Sequence, residues 1–427
     1  MIWLISGILI LMAVLGAPLF CVITAAAMAG FYFNDIDLSV MAIELYRIAD
    51  TPILLALPLF TFSGYLLSES DTSRRLVRLT RAGFGWMPGG LAMVAFIVCA
   101  LFTAFTGASG VTIVAMGALL YPALKQAGYD ENFSLGLVTT SGSLGLLLPP
   151  SLPLILYGVI AQQMSSDQEI LIEDLFISGI LPALLMILML SGWSLWANRR
   201  QPVPTTPFSF DALKKAAREA IWEIPLPVFV FAGIYGGFFA VSEAAAVTAL
   251  YVLIVEVLIY REIAFSKLGG IIRDSMVMVG GILLILGVSL AFTNFLIDAE
   301  VPMKLFEICQ TFVASKIVFL ILLNIFLLIL GAMLDIFSAI IIMVPLMLPV
   351  ALEYGIHPVH LGIIFLANMQ IGYFTPPVGM NLFIAGYRFN KPIIDIYRAS
   401  IPFMLVLLLA VLIITYWPWL SLVLISP

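Results

Sequence analysis

Ionisable side chains are scarce in this sequence, and their scarcity excludes several classes of protein. Only 10% of its 427 residues are Asp, Glu, Lys or Arg, whereas a soluble domain carries about 25%. The net charge of −6 argues against nucleic acid as a partner, because nucleic-acid binding requires a basic surface. The composition therefore argues against a soluble domain and against a nucleic-acid-binding protein.

Cysteine and histidine are also sparse. The three cysteines, Cys21, Cys99 and Cys309, lie in apolar or amphipathic surroundings without the spacing of a metal site, which favours packing roles. His357 and His360 share one short loop, where an ordinary polar loop is favoured over a metal-binding pair.

Motifs for nucleotide use and for catalysis are missing as well. Gly83 and Gly85 form a short glycine pair, but they lack the strand–helix context and the rest of a nucleotide-binding fingerprint. No cluster of His, Cys and Glu and no pairing of a nucleophile with a base is visible in the sequence. We therefore predict that this chain is neither an ATP-driven pump on its own nor an enzyme.

Apolar residues, by contrast, make up 63% of the sequence and give it a mean hydropathy of +1.15. Such a composition predicts a membrane protein with several spanning helices. The run from Ile2 to Phe33 carries no charge and is longer than the apolar core of a signal peptide, so we expect a retained first span. The next segment, Ile36 to Tyr46, is compatible with a horizontal interfacial helix or with a connecting loop.

Glycine and proline positions indicate an internal repeat. Gly145 and the Pro149-Pro150 pair recur 227 positions later as Gly372 and the Pro376-Pro377 pair. Because glycine and proline set the shape of the backbone, these matches indicate a repeat of structure. Hydrophobic segments that are interrupted at equivalent places in two halves point to the binding site of a transporter.

The repeat and the charged loops together predict the domain organisation. The first repeat covers residues 1–198 and the second covers residues 224–427, with a cytoplasmic linker over residues 199–223. Each repeat is expected to hold a re-entrant helical hairpin followed by a transmembrane helix that is broken at its Pro-Pro pair. The expected hairpins cover about residues 88–124 and 316–350, and the expected broken helices cover about residues 133–163 and 361–386.

Lysine and arginine predict the orientation in the membrane. Apart from Arg47, Lys304 and Lys316, they all fall in loops on one side of the predicted helices. That side is cytoplasmic by the positive-inside rule, which places the N-terminus in the cytoplasm and the C-terminus in the periplasm. The two hairpins then enter from opposite faces, so the repeats are predicted to be inverted, as in carriers that work by alternating access.

The first repeat is predicted to contain two breaks, one at the tip of the hairpin and one at the Pro-Pro pair of the following helix. Together they bring glycine and serine to the depth of the membrane. Backbone that leaves helical geometry there needs partners for its N–H and C=O groups, which protein, water or an ion can supply. Gly107, Ser109, Ser143 and Gly145 would offer carbonyl and hydroxyl oxygens suited to a hard cation such as Na⁺. Close packing of small residues between helices is the alternative explanation.

In the second repeat, Gly331 and Asp335 of the hairpin are expected to lie opposite Gly372 and Thr375 of the broken helix. Asp335 is the one acidic residue in the middle of a long apolar run, and carboxylates at membrane depth suggest function. A carboxylate that caps the N-terminus of a half-helix is the alternative, and the two roles are compatible. Glu256, near the end of another predicted span, is expected to reach the membrane interface.

The polar groups on the inner sides of the breaks are candidates for contact with a substrate, and they are Ser109, Ser151, Thr375 and Asn381. No cationic side chain lies near a break in the sequence, and Arg388 is the closest. An anionic substrate would therefore depend on helix N-termini and hydroxyl groups.

Four stretches carry a resemblance to a known family. They are the amphipathic region Tyr46 to Leu59, TGASGVT at Thr106 to Thr112, SGSLGLLLPPSLP at Ser141 to Pro153, and GYFTPPVGMN at Gly372 to Asn381. Nearly the whole chain resembles the large membrane subunit of TRAP transporters, the DctM-like family of the ion-transporter superfamily. The resemblance implies an all-α secondary transporter of the elevator type, with a static scaffold domain and a mobile transport domain.

The resemblance also implies Na⁺ as the coupling ion and two protein partners. These are a small TRAP membrane subunit and a periplasmic substrate-binding protein, which delivers a carboxylate solute such as a C4-dicarboxylate or sialic acid. The family's Na⁺ sites each join a hairpin tip to the opposed broken helix. Carried over to this chain, one site would use Gly107, Ser109, Ser143 and Gly145, and the other would use Gly331, Asp335, Gly372 and Thr375.

We therefore expect a carrier of the bacterial inner membrane that imports a carboxylate together with Na⁺. A stand-alone Na⁺/dicarboxylate symporter of related fold is the alternative within carriers, and a channel subunit is the alternative from another class. The small subunit is expected to be a separate polypeptide.

Overall fold

The protein is helical throughout the part of the chain that a computed structural model describes, which covers residues 2–87, 89–164, 170–199, 207–313 and 315–425. No β-strand occurs within these residues. Eight of the described helical segments are long and apolar enough to cross a membrane, by length and composition. The predicted all-α membrane protein with several spans is therefore confirmed.

The helices of the first half end at a long segment that precedes the predicted linker. They are α1 (Ile2–Val14), α2 (Leu19–Phe33), α3 (Ser39–Arg47), α4 (Ala56–Glu69), α5 (Thr72–Phe84), α6 (Gly90–Thr106), α7 (Ser109–Gln126), α8 (Glu131–Ser141), α9 (Leu152–Met164) and α10 (Ile172–Ala197).

The helices of the second half begin with a short amphipathic segment. They are α11 (Phe210–Glu219), α12 (Pro225–Tyr235), α13 (Val241–Leu253), α14 (Phe265–Asp298), α15 (Val301–Phe312), α16 (Lys316–Met333), α17 (Ile336–Glu353), α18 (Pro358–Gly372), α19 (Met380–Phe389), α20 (Ile393–Tyr416) and α21 (Trp419–Leu422). A π-helical turn over Ile254–Ile259 extends α13.

The N-terminal apolar run forms two helices, α1 and α2, where the sequence predicted one span. Gly16 adopts φ +81°, a conformation that only glycine reaches easily, and Pro18 lacks the N–H group that a continuous helix would need. The segment that was compatible with an interfacial helix or a loop does contain a helix, α3, which packs against α14.

The helix breaks recur with a constant spacing. α7 and α17 begin at Ser109 and Ile336, which are 227 positions apart, and α8 and α18 begin at Glu131 and Pro358 with the same separation. Between α8 and α9, and again between α18 and α19, the chain passes through a cis Pro-Pro bond. The breaks thus lie where the sequence placed them, while the domain boundaries and the inverted orientation of the repeats stay predictions.

Helices that carry the breaks pack on one another. α8 lies against α20, α9 against α17, and α16 against α18, while α4 lies against α13 and α14. Aromatic rings fill the centre of the first group, where the ring of Phe403 contacts Trp193 at a centroid distance of 4.6 Å. Cys99 is buried in this core, as a packing role requires, and the side chain of Cys309 lies outside the described residues.

An ion-pair cluster buried at one end of α5 joins it to the second half. The Arg75 guanidinium is ion-paired with the carboxylates of Glu223, Glu256 and Glu262 and lies over the Tyr260 ring, 4.0 Å from its centroid. Burial alone would lower the pKa of Arg75, but its hydrogen bond to Glu262 and the charges of the carboxylates raise it. The cluster therefore fixes α5 to the segments around α12 and α13.

Glu256 is buried in the protein and does not extend into solvent, while its depth relative to the membrane interface stays a prediction. Its side chain is 0% exposed, and its carboxylate accepts a hydrogen bond of 2.9 Å from the Thr72 hydroxyl. Arg75 supplies a second partner, with Nη2 3.4 Å from a Glu256 oxygen. A carboxylate that is buried in the protein is stabilised there because a cation from another helix neutralises it.

Candidate functional site

The tip of the first hairpin is a two-residue break between α6 and α7. Gly107 ends α6 with φ +64°, and its N–H group donates to the Thr103 carbonyl at 2.8 Å. Ala108 is extended and α7 starts at Ser109. The hydroxyl oxygen of Thr106 is buried beside this break and has no hydrogen-bond partner among the described residues. The tip therefore presents free polar groups inside the protein.

This tip lies against the break between α8 and α9. The Thr103 hydroxyl is 2.7 Å from the Thr112 hydroxyl and donates to the Gly142 carbonyl at 2.9 Å. Gly145 packs directly on the backbone of α6, since a Cβ atom added there would lie 2.0 Å from the Ala100 oxygen. Hairpin and broken helix are therefore held together by threonine hydroxyls that the sequence analysis did not select, although Thr112 belongs to the TGASGVT stretch.

The two breaks meet at Ser143. Its hydroxyl donates to the Gln370 carbonyl at 3.1 Å, and these two residues are 227 positions apart, which is the spacing of the repeat. Two positions that the predicted repeat makes equivalent are thus in direct contact. Ser151, a predicted substrate residue, donates instead to the Leu146 carbonyl at 2.6 Å within its own break.

The second hairpin lies equally close to the second broken helix. Gly331 and Gly372 are in backbone contact, because a Cβ atom on Gly372 would lie 2.4 Å from the Gly331 carbonyl carbon. The first N–H group of α17, on Ile336, donates to the Tyr373 hydroxyl at 2.7 Å. Two of the predicted Na⁺ residues, Gly331 and Gly372, therefore contact each other.

Asp335 caps α17. Its Oδ1 accepts hydrogen bonds of 3.0 Å from the N–H groups of Phe337 and Ser338, and the hydroxyl of Ser338 donates to its Oδ2. The side chain is exposed, and within the described residues its hydrogen bonds stay inside α17. Thr375 is half-buried and donates to the Ile371 carbonyl at 2.9 Å. The capping role of Asp335 is thus observed, while a shared site with Thr375 stays a prediction.

Ser109 and Asn381, both predicted to contact substrate, are hydrogen-bonded to each other across the two halves. The Ser109 hydroxyl donates to Asn381 Oδ1 at 2.8 Å, and both side chains are buried. The amide nitrogen of Asn381 has no partner among the described residues. A buried N–H donor without a partner is unfavourable unless a ligand or water accepts from it, so this pair is the best candidate for contact with an anion.

A second polar group inside the protein lies behind the second break. Asn368 donates to Asn324 Oδ1 at 2.6 Å, and Thr415 donates to the same oxygen at 3.1 Å. Asn324 and Thr415 were not selected from the sequence, although an asparagine in the apolar run of α16 is a detectable signal. His360 donates to or accepts from Ser421 at 3.2 Å, so it does not share a partner with His357, whose ring caps α18.

A cavity of about 850 Å³ reaches the first hairpin from one side. It lies between α4, α14, α7 and α19, and its lining includes Gly110, Lys267 and Arg388. On the opposite side, near Glu44 and Arg47, the corresponding space between α3, α9, α14 and α17 is about 40 Å³. The cavity beside Lys267 and Arg388 thus has a volume of about 850 Å³, while at the other end of α14 two spaces of about 40 Å³ and about 400 Å³ both adjoin Met164 and Ile297.

The donor set at the breaks fits Na⁺ better than a transition metal. Within the described residues, no three His, Cys, Asp or Glu side chains are grouped as metal ligands. The breaks instead bring together carbonyl and hydroxyl oxygens, and the unpartnered Thr106 hydroxyl is one of them. Neutral oxygen ligands suit hard cations, so the residues present are compatible with Na⁺.

Comparison with known proteins decides the family. The family described as "Tripartite ATP-independent periplasmic transporter, DctM component" matches residues 6–420. The chain belongs to this family. The resemblance inferred from the four sequence stretches is therefore confirmed, and the DctM component is a subunit of a transporter.

Individual relatives match over most of the chain. The C4-dicarboxylate TRAP transporter large permease protein DctM of Pseudomonas aeruginosa is 33% identical over 401 residues, covering 94% of this chain and 92% of that protein. The isethionate TRAP transporter permease protein DctMQ of Oleidesulfovibrio alaskensis is 32% identical over 415 residues, covering 96% of this chain and 64% of that protein.

A solved structure shares the fold. The crystal structure of the Alcanivorax borkumensis YdaH transporter, described as having an unusual topology, has a TM-score of 0.60 to this chain. The match covers 90% of this chain and 88% of that one at 14% sequence identity, which shows a common fold and nothing further.

Glycine at the two contacts between hairpin and broken helix should be essential for stability. Gly145→Ala is expected to lower the free energy of unfolding by about 1–3 kcal/mol, because its Cβ would overlap the Ala100 oxygen. Gly269→Ala in α14 is the control, since nothing lies within 4 Å of its Cβ and alanine favours a helix. Thermal unfolding of both purified variants checks this, and equal losses would contradict it.

Proposed function

We propose that this DctM component is the large membrane subunit of a Na⁺-coupled tripartite transporter that imports a carboxylate solute, such as a C4-dicarboxylate or sialic acid. The observation that carries the proposal is the contact of two interrupted helices at Ser143 and Gln370, together with the Ser109–Asn381 hydrogen bond, which also joins the two halves. Interrupted helices at the centre of a repeat are where secondary transporters bind ions and substrate.

Each Na⁺ site would lie between a hairpin tip and the broken helix packed against it. One would use Gly107, Ser109, Ser143 and Gly145, and the other Gly331, Asp335, Gly372 and Thr375. The packing of Gly145 on α6 and of Gly331 on Gly372 supports these pairings. Bound Na⁺ would neutralise part of the charge that a carboxylate brings into the protein.

The solute would bind where Ser109 and Asn381 meet, with Ser151 and Thr375 as further candidates. The unpartnered amide of Asn381 supports this, because a carboxylate oxygen can accept from it. Arg388 lines the cavity beside the first hairpin and would attract an anion electrostatically. The name of the Pseudomonas aeruginosa relative, a C4-dicarboxylate transporter, favours such a solute.

Transport would proceed by movement of one helix group against another. The groups are the helices that carry the breaks and the scaffold formed around α4, α13 and α14, and the two repeats would be inverted. In the orientation that the positive-inside rule predicts, the cavity of about 850 Å³ beside Lys267 and Arg388 would open to the cytoplasm. The protein would lie in the inner membrane with its N-terminus in the cytoplasm and its C-terminus in the periplasm.

Uptake is expected to require Na⁺ and both partners. We would reconstitute this chain with the small membrane subunit, add the periplasmic binding protein loaded with a radiolabelled C4-dicarboxylate, and impose an inward Na⁺ gradient. Replacing Na⁺ with K⁺ should reduce uptake to the level of protein-free vesicles, because K⁺ is too large for sites built for Na⁺.

Three outcomes would change the assignment. Undiminished uptake in K⁺ would remove the Na⁺ coupling. Equal uptake without the binding protein would indicate a stand-alone symporter. Conduction without saturation by solute would indicate a channel.

A further inference from the structure

A basic groove lies between α5 and α11, away from the helix breaks. It has a volume of about 510 Å³, and its polar lining consists of Arg78, Arg81, Ser209, Lys215 and Glu219. The proposed transport function uses none of these residues. The two helices that carry these residues are in contact, since α11 packs against α5.

The charges of the groove do not cancel. Arg78 Nη1 is 3.1 Å from Glu219 Oε2, so this cation has a partner. Arg81 and Lys215 form no ion pair with any residue that the structure describes. Two uncompensated positive charges therefore line the same concave surface from opposite helices, and an anion between them would be attracted by both.

The helix that forms one wall of the groove, α5, is held in place by ion pairs to the second half of the chain. Arg75, one helical turn before Arg78, is buried and ion-paired with three glutamates of the second half. On the other wall, Ala216 is buried against α5 while Lys215 next to it is exposed. The cationic side chains thus project from two helices whose backbones are already held in place, and binding an anion would order only side chains.

Exposed aromatic side chains lie within a few positions of the lining residues in the chain. They are Phe84, Trp86, Phe208, Phe210 and Trp222. Exposed tryptophan and phenylalanine next to arginine and lysine are typical of the membrane–water interface, where the rings lie among lipid and the cations reach the headgroups. Both helices are amphipathic with basic polar faces, as helices lying in that interface are.

We propose that the groove binds the phosphate of an anionic phospholipid, with Arg81 and Lys215 as the contacting residues. The guanidinium of Arg81 can donate two parallel hydrogen bonds to phosphate oxygens, and the Lys215 ammonium adds a point charge. The acyl chains would lie along the exposed rings of Trp86 and Phe210. Basic pockets between helices on the cytoplasmic side of membrane proteins take lipid headgroups in this way.

The test compares two double variants of the full chain. R81Q/K215Q removes both charges from the groove, and R74Q/K214Q removes two charges from the same two helices outside its lining. Native mass spectrometry of detergent-purified protein titrated with phosphatidylglycerol gives the dissociation constant of the bound lipid. R81Q/K215Q should weaken binding by about tenfold or more, and R74Q/K214Q by about twofold or less, because each basic group at a headgroup contributes about fivefold.

Further titrations establish the source of the phosphate. Phosphatidylcholine should bind the unmodified chain no better than it binds R81Q/K215Q, because its headgroup carries no net charge. Inorganic phosphate at millimolar concentration should not displace phosphatidylglycerol. Displacement by inorganic phosphate would overturn the lipid assignment in favour of a soluble phosphate compound. Equal weakening in the two double variants would overturn the site itself.

Discussion

Replacing Arg75 with methionine is expected to lower the free energy of unfolding by about 3–5 kcal/mol. The guanidinium is the shared cation of Glu223, Glu256 and Glu262, and the first two of these carboxylates are almost fully buried. Methionine keeps most of the volume but leaves the carboxylates facing one another without a cation. Removing one partner from a buried ion pair is far more unfavourable than forming the pair is favourable.

Arg78→Met is the matched control because it lies on the same helix one turn away. Its side chain is 58% exposed and forms a single ion pair with Glu219, so its loss should change stability by about 1 kcal/mol or less. Chemical or thermal unfolding of the purified variants measures both effects. Similar losses for Arg75→Met and Arg78→Met would show that the buried cluster contributes no more than a surface pair.

A second substitution separates charge from packing. Glu256→Gln in the Arg75→Met background should restore part of the lost stability, since it removes one uncompensated charge and keeps the hydrogen bond to Thr72. If the loss came from packing around the Tyr260 ring, Glu256→Gln would leave it unchanged. The double-variant measurement therefore identifies the electrostatic contribution directly.

The sequence predicts local features of this protein well because their causes are local. Gly107 ends α6 in a left-handed conformation, and Asp335 caps the helix that it precedes. Both effects depend on neighbours within four positions in the chain, so a reader of the sequence can place the breaks. The division of the N-terminal run into two helices is harder to predict, because its apolar length suggests one span while Gly16 and Pro18 end one helix and begin another.

Contacts between distant positions could not be predicted in this way. Arg75 is separated from Glu223, Glu256 and Glu262 by 148, 181 and 187 positions, and nothing in their local sequence specifies the pairing. Glu256 alone resembles a residue near a helix end, where an exposed carboxylate is the ordinary outcome. Only the position of Arg75 in α5 next to the π-helical turn after α13 makes Glu256 a buried partner, and that position is a property of the whole fold.

The Ser109–Asn381 pair has one feature that the sequence predicts and one that it does not. Each residue could be selected from the sequence because it adjoins a break, but their hydrogen bond joins positions 272 residues apart. The pairing leaves the amide nitrogen of Asn381 without a partner among the described residues, and this is the observation that supports an anionic solute in the proposed site. The sequence therefore identifies the two residues, but only the folded structure shows that they are hydrogen-bonded to each other and that the amide nitrogen is left without a partner in the described part of the chain.

Asn381→Asp should therefore reduce uptake of a carboxylate solute by about a hundredfold or more in the reconstituted system. An aspartate oxygen would replace the free amide nitrogen, so a donor to the solute becomes an anion, and like charges in contact are unfavourable by several kcal/mol. The hydrogen bond from Ser109 is retained, because the other oxygen still accepts it.

Asn390→Asp at the end of α19 is the control. Asn390 is exposed and has φ +50°, a conformation that aspartate also tolerates, so this variant should transport normally. Uptake by Asn381→Asp should recover in part as the pH is lowered, because a protonated aspartate is neutral and can donate to the solute again. Undiminished uptake by a folded Asn381→Asp protein at neutral pH would remove Asn381 from the solute site and leave the unpartnered amide to be explained by bound water.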